Sequence, residues 1–573
     1  MTEASETEVS TAPSTAPAGP AGLTHRQILA ILSGLLMGMF LAALDQTIVS
    51  TAIRTIADDL HGLSVQAWVT TAYLITSTIA TPLYGKLSDI YGRKKFFIAA
   101  ISIFIAGSML CTLATSMYSL AAYRAFQGIG AGGLFTLALA IIGDIVSPRE
   151  RARYQGYFLA VFGTSSVLGP VIGGFLAGQS SILGVAGWRW VFLVNVPIGI
   201  VALFVVSATL HVPHFRRDHR IDWWGAVLLS VSLVPLLTVA EQGREWGWGS
   251  GRSLACYFVG VLAAVGFVYA ESRFGDEALI PLRIFKNRTI SLALVSSVVT
   301  GAGLFGAVTV LPLYLQIVQG ASPSKAGLLM LPFVLGLMSA AVISGQIISK
   351  TGRYRTFPIM GAVLMVIGLL LLWRVHYDTP LPVIMLFMLV TGYGLGNTMQ
   401  PLMLAVQNSV SPRDIGVATS SSTFFRQIGG TLGVAVFLSI LFSTVGDKIA
   451  AALRHATGTP AFQAAAHNPA IAGQHPNSDF LAALQAQQSG KSTSFFSGVL
   501  NDSSVIDRLA KPFGDPFKIG FSQAMDTVFL VGACVVVVAV VVLAFLPHIE
   551  LRDTSGIEAQ QQAEAEAAAK AAE

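Results

Sequence analysis

The chain has 573 residues, 53% of them hydrophobic and only 11% charged, with a mean hydropathy of +0.67. So few charges cannot cover a water-facing surface of this size, which excludes an ordinary soluble protein and leaves a polytopic membrane protein. The net charge of +5 comes from lysines and arginines gathered in short loops, so it reports orientation in a lipid bilayer rather than a nucleic-acid partner.

Residues 1–24 are rich in Ala, Pro, Ser, Thr and Glu, with no basic region or apolar core. They read as a disordered tail with no cleavable signal. Apolar runs then follow at 28–49, 67–84, 96–117, 120–142, 157–178 and 190–210, at 223–240 and 254–270, and at 290–315, 326–348, 357–373, 381–404, 417–441 and 521–545. Each is close to the ~20 residues a helix needs to cross ~30 Å of hydrocarbon, and none alternates with period two, so helices are expected and a barrel is not. The count is about fourteen.

Between Gly85 and Lys95 the chain reads Gly-Lys-Leu-Ser-Asp-Ile-Tyr-Gly-Arg-Lys-Lys, and the frame returns from Gly345 to Arg355, an offset of 260 (345 − 85). Ser147-Pro148-Arg149-Glu150 matches Ser411-Pro412-Arg413-Asp414, and Gly128, Gly130 and Gly132 match Gly392, Gly394 and Gly396, both at an offset of 264 (411 − 147). The chain therefore holds two copies of one membrane unit, the construction of secondary transporters. Six helices need fewer residues than this offset. Runs 223–240 and 254–270 take up the surplus, and an even insertion keeps both basic loops on one side. Arg93, Lys94, Lys95, Arg149, Arg151, Arg153 and Arg283 make that side the cytoplasmic one, with both termini inside.

The expected organisation is a cytoplasmic tail (1–24), a six-helix bundle (25–212), a two-helix insertion (213–288) and a second bundle (289–442 and 520–547). An extracytoplasmic loop (443–519) interrupts the second bundle, and a cytoplasmic tail (548–573) ends the chain. The loop reads as disorder with a short amphipathic stretch, a lid or docking element being the alternative. Its Gly490-Lys491-Ser492 resembles the end of a phosphate loop, but Gln485 stands where the glycine belongs and no strand precedes it. With no nucleotide site, an ion gradient or the substrate's own gradient must supply the energy. Cys111, Cys256 and Cys534 lie in apolar runs without ligand spacing and read as buried small hydrophobes. His211, His214 and His219 sit among Arg216, Arg217 and Arg220, a solvated basic loop rather than a metal site. No metal or other cofactor is expected. A membrane enzyme would need His, Cys, Ser or acidic residues clustered at one depth, and no such cluster is found.

The stretch from Gly85 to Lys95 resembles the loop between helices two and three of the major facilitator superfamily. Leu44-Asp45-Gln46-Thr47-Ile48-Val49 is similar to the first-helix motif of its fourteen-helix drug:proton antiporter branch. Tyr123 to Gly130 resembles the fourth-helix motif, and Gly169-Pro170-Val171-Ile172-Gly173-Gly174 the fifth-helix motif of exporters. Gly187 to Phe192, Asn195-Val196-Pro197 and Phe425 to Gly430 also match, over roughly residues 24–547. Ser50 stands where the branch often has Asn, and Ser349 replaces the acid of the first loop copy. The resemblance implies an all-α fold of two six-helix bundles plus two inserted helices. It implies a monomer in the cell membrane that exports amphipathic or cationic organic compounds against protons by alternating access. An endogenous metabolite, siderophore or lipid is the alternative cargo.

Asp45 lies about seventeen residues into the first run, roughly 25 Å from its inner end. A carboxylate there costs about 2.5–3.5 kcal/mol at the bilayer centre, so it faces a cavity or a partner. Arg124 enters the fourth run from the other end and reaches a comparable depth. Desolvation favours the neutral acid and the arginine favours the anion, which suits a proton-coupling pair. A static tie between helices one and four is the alternative. Gly85, Asp89, Gly92, Arg93 and Lys94 read as a cytoplasmic gating loop, with Asp89 aimed at basic loops or a helix N-terminus. Pro170 kinks helix five and Gly169, Gly173 and Gly174 allow close packing, at a moving seam or as an ordinary kink. Tyr73, Gln127, Phe162, Tyr314, Gln316, Asn397, Gln400 and Phe425 are candidates for the substrate cavity, each also open to a packing role. Arg426 contacts substrate or gate, or bonds backbone carbonyls. Asp526 reads as an interfacial acid.

Overall fold

The computed structural model describes residues 25–61, 67–210, 222–411, 414–488, 495, 504–548 and 550–552. The tails at 1–24 and 553–573, the histidine loop at 211–221, Pro412, Arg413 and the Gly490-Lys491-Ser492 stretch lie outside them. Apart from one short β-ribbon (β1, Ser181–Ile182, with β2, Val185–Ala186), the described chain is helical. The first bundle comprises α1 (His25–Asp59), α2 (Ala67–Tyr91), α3 (Arg93–Thr112), α4 (Met117–Ile145), α5 (Pro148–Ala177), and a helix broken at Val194 into α6 (Arg189–Leu193) and α7 (Asn195–Thr209). The insertion is α8 (Trp223–Trp246) and α9 (Gly251–Phe274). The second bundle comprises α10 (Arg288–Ile317), α11 (Pro323–Leu329) running into α12 (Leu331–Thr351), α13 (Thr356–Trp373), α14 (Leu381–Asn408), α15 (Ile415–Thr457) and, after a cap, α20 (Lys511–Ala544).

Among the described residues thirteen helices are long and apolar enough to span a membrane. The fourteenth, α2, has 25 residues and is more polar, with Thr71, Ser77, Thr78 and Thr81 along it. Those hydroxyls are buried, and Thr81 bonds back to the Ser77 carbonyl, which removes the cost of a polar group in hydrocarbon. Starts are set locally: Ser147 caps α5 with Pro148 in the first turn, and Asn287 caps α10.

The glycine repeat acquires a physical cause. α4 is pressed between α2 and α3, and α14 between α12 and α13. A β-carbon on Gly130 would stand 2.6 Å from the Phe104 backbone nitrogen, and one on Gly394 2.5 Å from that of Met365. In both halves the fourth helix approaches its neighbours to backbone contact, which only the smallest residue permits.

The expectation of disorder with a short amphipathic stretch at 443–519 is corrected for its described residues, which are largely helical. α15 runs 43 residues, far beyond the hydrocarbon, and α16 (Pro460–His467), α17 (Pro469–Ala472), α18 (Asn477–Gln488) and α19 (Ser504–Arg508) fold over its end. Phe462, Phe480 and Phe513 form the core of this cap, with ring centroids 5.0 Å (Phe462–Phe513) and 5.5 Å (Phe480–Phe513) apart. Each buried phenylalanine contributes about 1.5–3 kcal/mol, enough to order short helices against the two long ones. The cysteine expectation holds for Cys111 alone: Cys256 is half-buried and Cys534 exposed on an apolar helix face.

Two ends can be distinguished without a membrane. One carries the α2–α3, α4–α5, α12–α13 and α14–α15 junctions and is called the basic face. The other carries the helical cap.

Candidate functional site

Asp45 on α1 and Arg124 on α4 meet in the interior of the first bundle, the arginine Nη1 donating to Asp45 Oδ2. Their side chains are 0% and 1% exposed. Asp45 Oδ1 accepts from Asn195 Nδ2 at 2.7 Å and Gln127 Nε2 at 3.0 Å. Arg124 Nη1 also donates to Gln127 Oε1 at 2.7 Å, and its guanidinium lies 4.0 Å over the Tyr73 ring. Ser108 Oγ accepts from Gln127 and Asn195 and donates to the Phe192 carbonyl. Three helices thus meet at one carboxylate, and three donors satisfy it as an anion. The local cause is the break at Val194, with Pro197 two residues beyond Asn195, which puts Asn195 at the head of α7 facing α1. The sequence gives Asn195 only as part of a motif. Ser108 carries no signal at all.

A cavity of about 300 Å³ lies elsewhere, between α1 and α5 of one half and α10, α11 and α12 of the other, towards the cap. Thr47, Phe162, Pro170, Gln316, Met330 and Phe333 are among its walls. Thr47 faces it while Asp45, two residues earlier, points the opposite way into the bundle, as a helical turn requires. Of the nine cavity candidates, Phe162 and Gln316 line it. The others do not line this cavity. Tyr73 and Gln127 belong to the buried ion-pair network. Tyr314 is buried near the cap and donates to the His376 carbonyl. Asn397 bonds its own helix through the Tyr393 carbonyl, and Gln400 is buried. Phe425 stacks edge-on against Phe285, below the insertion. Arg426 is half-buried, its backbone carbonyl pressed against Gly301. Polarity chose these residues, but the side chains of Tyr73, Gln127 and Asn397 turn into their own bundles rather than toward this cavity.

Gly169 and Gly173 let α5 press on α1: a β-carbon on Gly173 would stand 2.8 Å from the Ile48 carbonyl oxygen, and one on Gly169 would strike Thr47. Thr47 Oγ1 donates to the Ser165 carbonyl at 2.9 Å. Pro170, one turn on, forms cavity wall, and the Gly174 carbonyl accepts from Gly178.

At the basic face the halves are closed on one another. Asp89 pairs with Arg93 at 2.5 Å, and Arg93 holds Asp144 at 2.7 Å and Ser88 at 2.6 Å. The Asp89 carboxylate rests on the first turn of α15, where a β-carbon on Gly416 would stand 2.6 Å from Asp89 Oδ2. A helix N-terminus favours an anion there. Gly85 packs on Ser420 of the same helix. Gly92, with φ of 103°, makes the corner into α3, and Lys94 caps α7 through the Ser207 carbonyl at 2.7 Å. These two act within the first half.

The second copy closes by other chemistry. Arg149 donates to the Ser349 carbonyl at 2.8 Å and the Lys350 carbonyl at 3.1 Å, at the C-terminal end of α12, where free carbonyls attract cations. Arg151, fully buried, donates to Gln407 of α14 and to the Gly143 and Val146 carbonyls. Gln407 reaches the Leu139 carbonyl at 3.2 Å and Thr419 at 2.9 Å. Sequence reasoning counts Arg149 and Arg151 as loop charges only. The repeat of Ser-Pro-Arg was the available signal for Arg149, and Arg151, whose counterpart at that offset is Ile415, had none.

Among the described residues no group of three His, Cys, Asp or Glu side chains could hold a metal. A family model described as the Major Facilitator Superfamily matches residues 35–434. The Bacillus subtilis multidrug transporter protein MdtP is 33% identical over 95% of this chain and 97% of its own length. Multidrug resistance protein 3 of the same organism is 35% identical over 73% and 80%. In fold, the proton:xylose symporter XylE superposes with a TM-score of 0.59 at 16% identity, covering 94% of this chain and 99% of that one.

Proposed function

The chain belongs to the major facilitator superfamily, and on that premise we propose that it exports amphipathic organic compounds across the cell membrane in exchange for protons, with both termini cytoplasmic. As a member of that superfamily it is a multi-pass membrane transporter and not an enzyme. The observation that carries the proton reading is the Asp45–Arg124 pair: a carboxylate and a cation held in the bundle interior, bonded across three helices. A buried pair of this kind is weak as a source of stability and costly to break on one side, by about 3–5 kcal/mol. A proton on Asp45 would cancel the charge, leave Arg124 to Gln127 and Tyr73, and loosen α1 from α4 and α7. The inward–outward equilibrium would shift by the difference in proton affinity between the two states.

The cavity supports the cargo class. Its walls mix Phe162, Met330 and Phe333 with the hydroxyls and amide of Thr47, Ser166 and Gln316, and no acid is among its lining residues. That supports amphipathic cargo without a fixed counter-charge for a cation in this state. The multidrug names of the relatives agree with drugs, antibiotics or dyes. The closed basic face with a cavity towards the cap matches the outward half of an alternating cycle.

A second reading has an observation of its own. Asp45 is sealed from the cavity and fully bonded, as a static brace would be. Uptake of ethidium into inverted vesicles separates the two: an acidic lumen should drive it in wild type and fail to drive it in Asp45→Asn at equal membrane level. Equal gradient-driven uptake in both leaves the brace.

A further inference from the structure

A second buried acid lies far from the Asp45 network, at the basic-face foot of the insertion. Asp222 caps α8, its Oδ1 accepting from the Gly225 amide at 2.7 Å. Glu271, at the end of α9, accepts from the Ile280 amide through Oε2 at 2.9 Å. The side chains are 2% and 0% exposed. Each has one oxygen engaged and one, Asp222 Oδ2 and Glu271 Oε1, buried with no hydrogen-bond partner among the described residues. The two free oxygens face the same gap: Glu271 Oε1 stands 2.8 Å, and Asp222 Oδ2 nearer still, from where a β-carbon on Gly225 would sit.

Two ionised carboxylates cannot share such a gap: each disfavours the other's charge, and burial disfavours both. One proton resolves all of it. It removes one charge, gives the donor oxygen a hydrogen and gives the acceptor oxygen a partner. We propose that Asp222 and Glu271 form a proton-binding site, one proton shared between Glu271 Oε1 and Asp222 Oδ2, that reports basic-face pH to the gate.

The charged groups facing this pair tie it to the gate. Lys86 of α2, 8% exposed, is in electrostatic reach of Glu271, and also of Asp89, Asp414 and Arg283. Arg283 in turn pairs with Asp414 at 2.9 Å, just before α15. α8 packs against α2 of one half and α15 of the other, so the insertion straddles the seam that the gate closes. Loss of the shared proton adds negative charge beside Lys86 and draws it from Asp89 and Asp414. The proton site rests on this geometry alone, and only its consequence for the gate depends on the alternating-access reading.

Infrared spectroscopy of the purified full chain tests the site without any transport assay. Wild type at neutral pH should show the carbonyl stretch of a protonated, desolvated carboxyl group, unchanged in Asp45→Asn. It should be lost in Glu271→Gln and in Asp222→Asn, which keeps the helix cap. No such band in wild type, or a band surviving both substitutions, overturns the proposal. Thermal melts add a sign: Glu271→Gln needs no proton, so its melting temperature should gain on wild type as pH rises and match it in acid. A melting temperature that rises instead with added sodium or calcium chloride, and does so only when both acids are present, would mark a metal cation and overturn the shared proton. Spin labels at Lys95 and Arg353, one on each half, read the gate. In an Asp45→Asn background their distance distribution should shift with pH, and Glu271→Gln should abolish the shift. A pH shift unchanged by Glu271→Gln removes the link to the gate.

Discussion

The two halves share a scaffold and not a chemistry. At the offset of 264 that superposes the glycine ladders, Arg124 falls on Met388 (388 − 124), and both are buried at the same place in a fourth helix. The first half carries an ion pair there, bonded across three helices. In the second, Thr391, Asn397 and Thr398 bond only back to their own helix, through the carbonyls of Phe387, Tyr393 and Gly394. The basic-face contacts divide the same way: a carboxylate on a helix N-terminus in one copy, an arginine on helix C-terminal carbonyls in the other. Duplication preserved the close packing and left the buried ion pair to one side. The second half supplies the receiving surfaces, Gly416 and the Ser349 carbonyl, and much of the cavity wall.

The sharpest way to break this comparison is to substitute its two equivalent positions. Arg124→Ala leaves Asp45 buried without its cation and should cost about 3–5 kcal/mol. Met388→Leu conserves volume and should cost under about 1.5 kcal/mol. Urea unfolding in detergent measures both, and equal losses would contradict the asymmetry. Next comes Gly416→Val, whose side chain displaces Asp89 from the start of α15. It should shift the Lys95–Arg353 spin-label distance toward an open basic face, whereas an unchanged distance would show that the latch bears no closing force. Smaller again is the amide pair. Asn195→Ala orphans part of Asp45's shell and should cost about 1–3 kcal/mol, and Asn397→Ala, which gives up one bond within its own helix, about 0.5–1.5 kcal/mol, both by the same unfolding assay. The smallest effect belongs to Arg283→Ala. Its partner Asp414 is 20% exposed and Arg283 itself 48%, so the loss should stay under about 1 kcal/mol and vanish in high salt.

Much of this was legible in the chain because membrane helices announce themselves by length and apolarity. Every expected span contains a helix, α2 included despite its hydroxyls, and the repeat offsets found the glycine ladders. The meeting of Asp45 and Arg124 follows from depth counting on helices that run in opposite directions. The cavity was not legible. Which face of α4 or α14 turns toward the seam depends on how two bundles tilt against one another, and no local pattern encodes it. The cap's order was not legible because it rests on three phenylalanines spread across 52 positions (513 − 462, inclusive) of Ala- and Gln-rich chain. Arg149's partners were invisible for another reason: they are backbone carbonyls, which leave no trace in residue types.

The central claim is that Asp45 exchanges a proton against cargo. Adding ethidium to the purified protein in weakly buffered detergent and following a pH dye tests it most directly. Wild type should release protons as the dye binds, and Asp45→Asn should bind the dye and release none. The same proton release from both proteins would contradict the account.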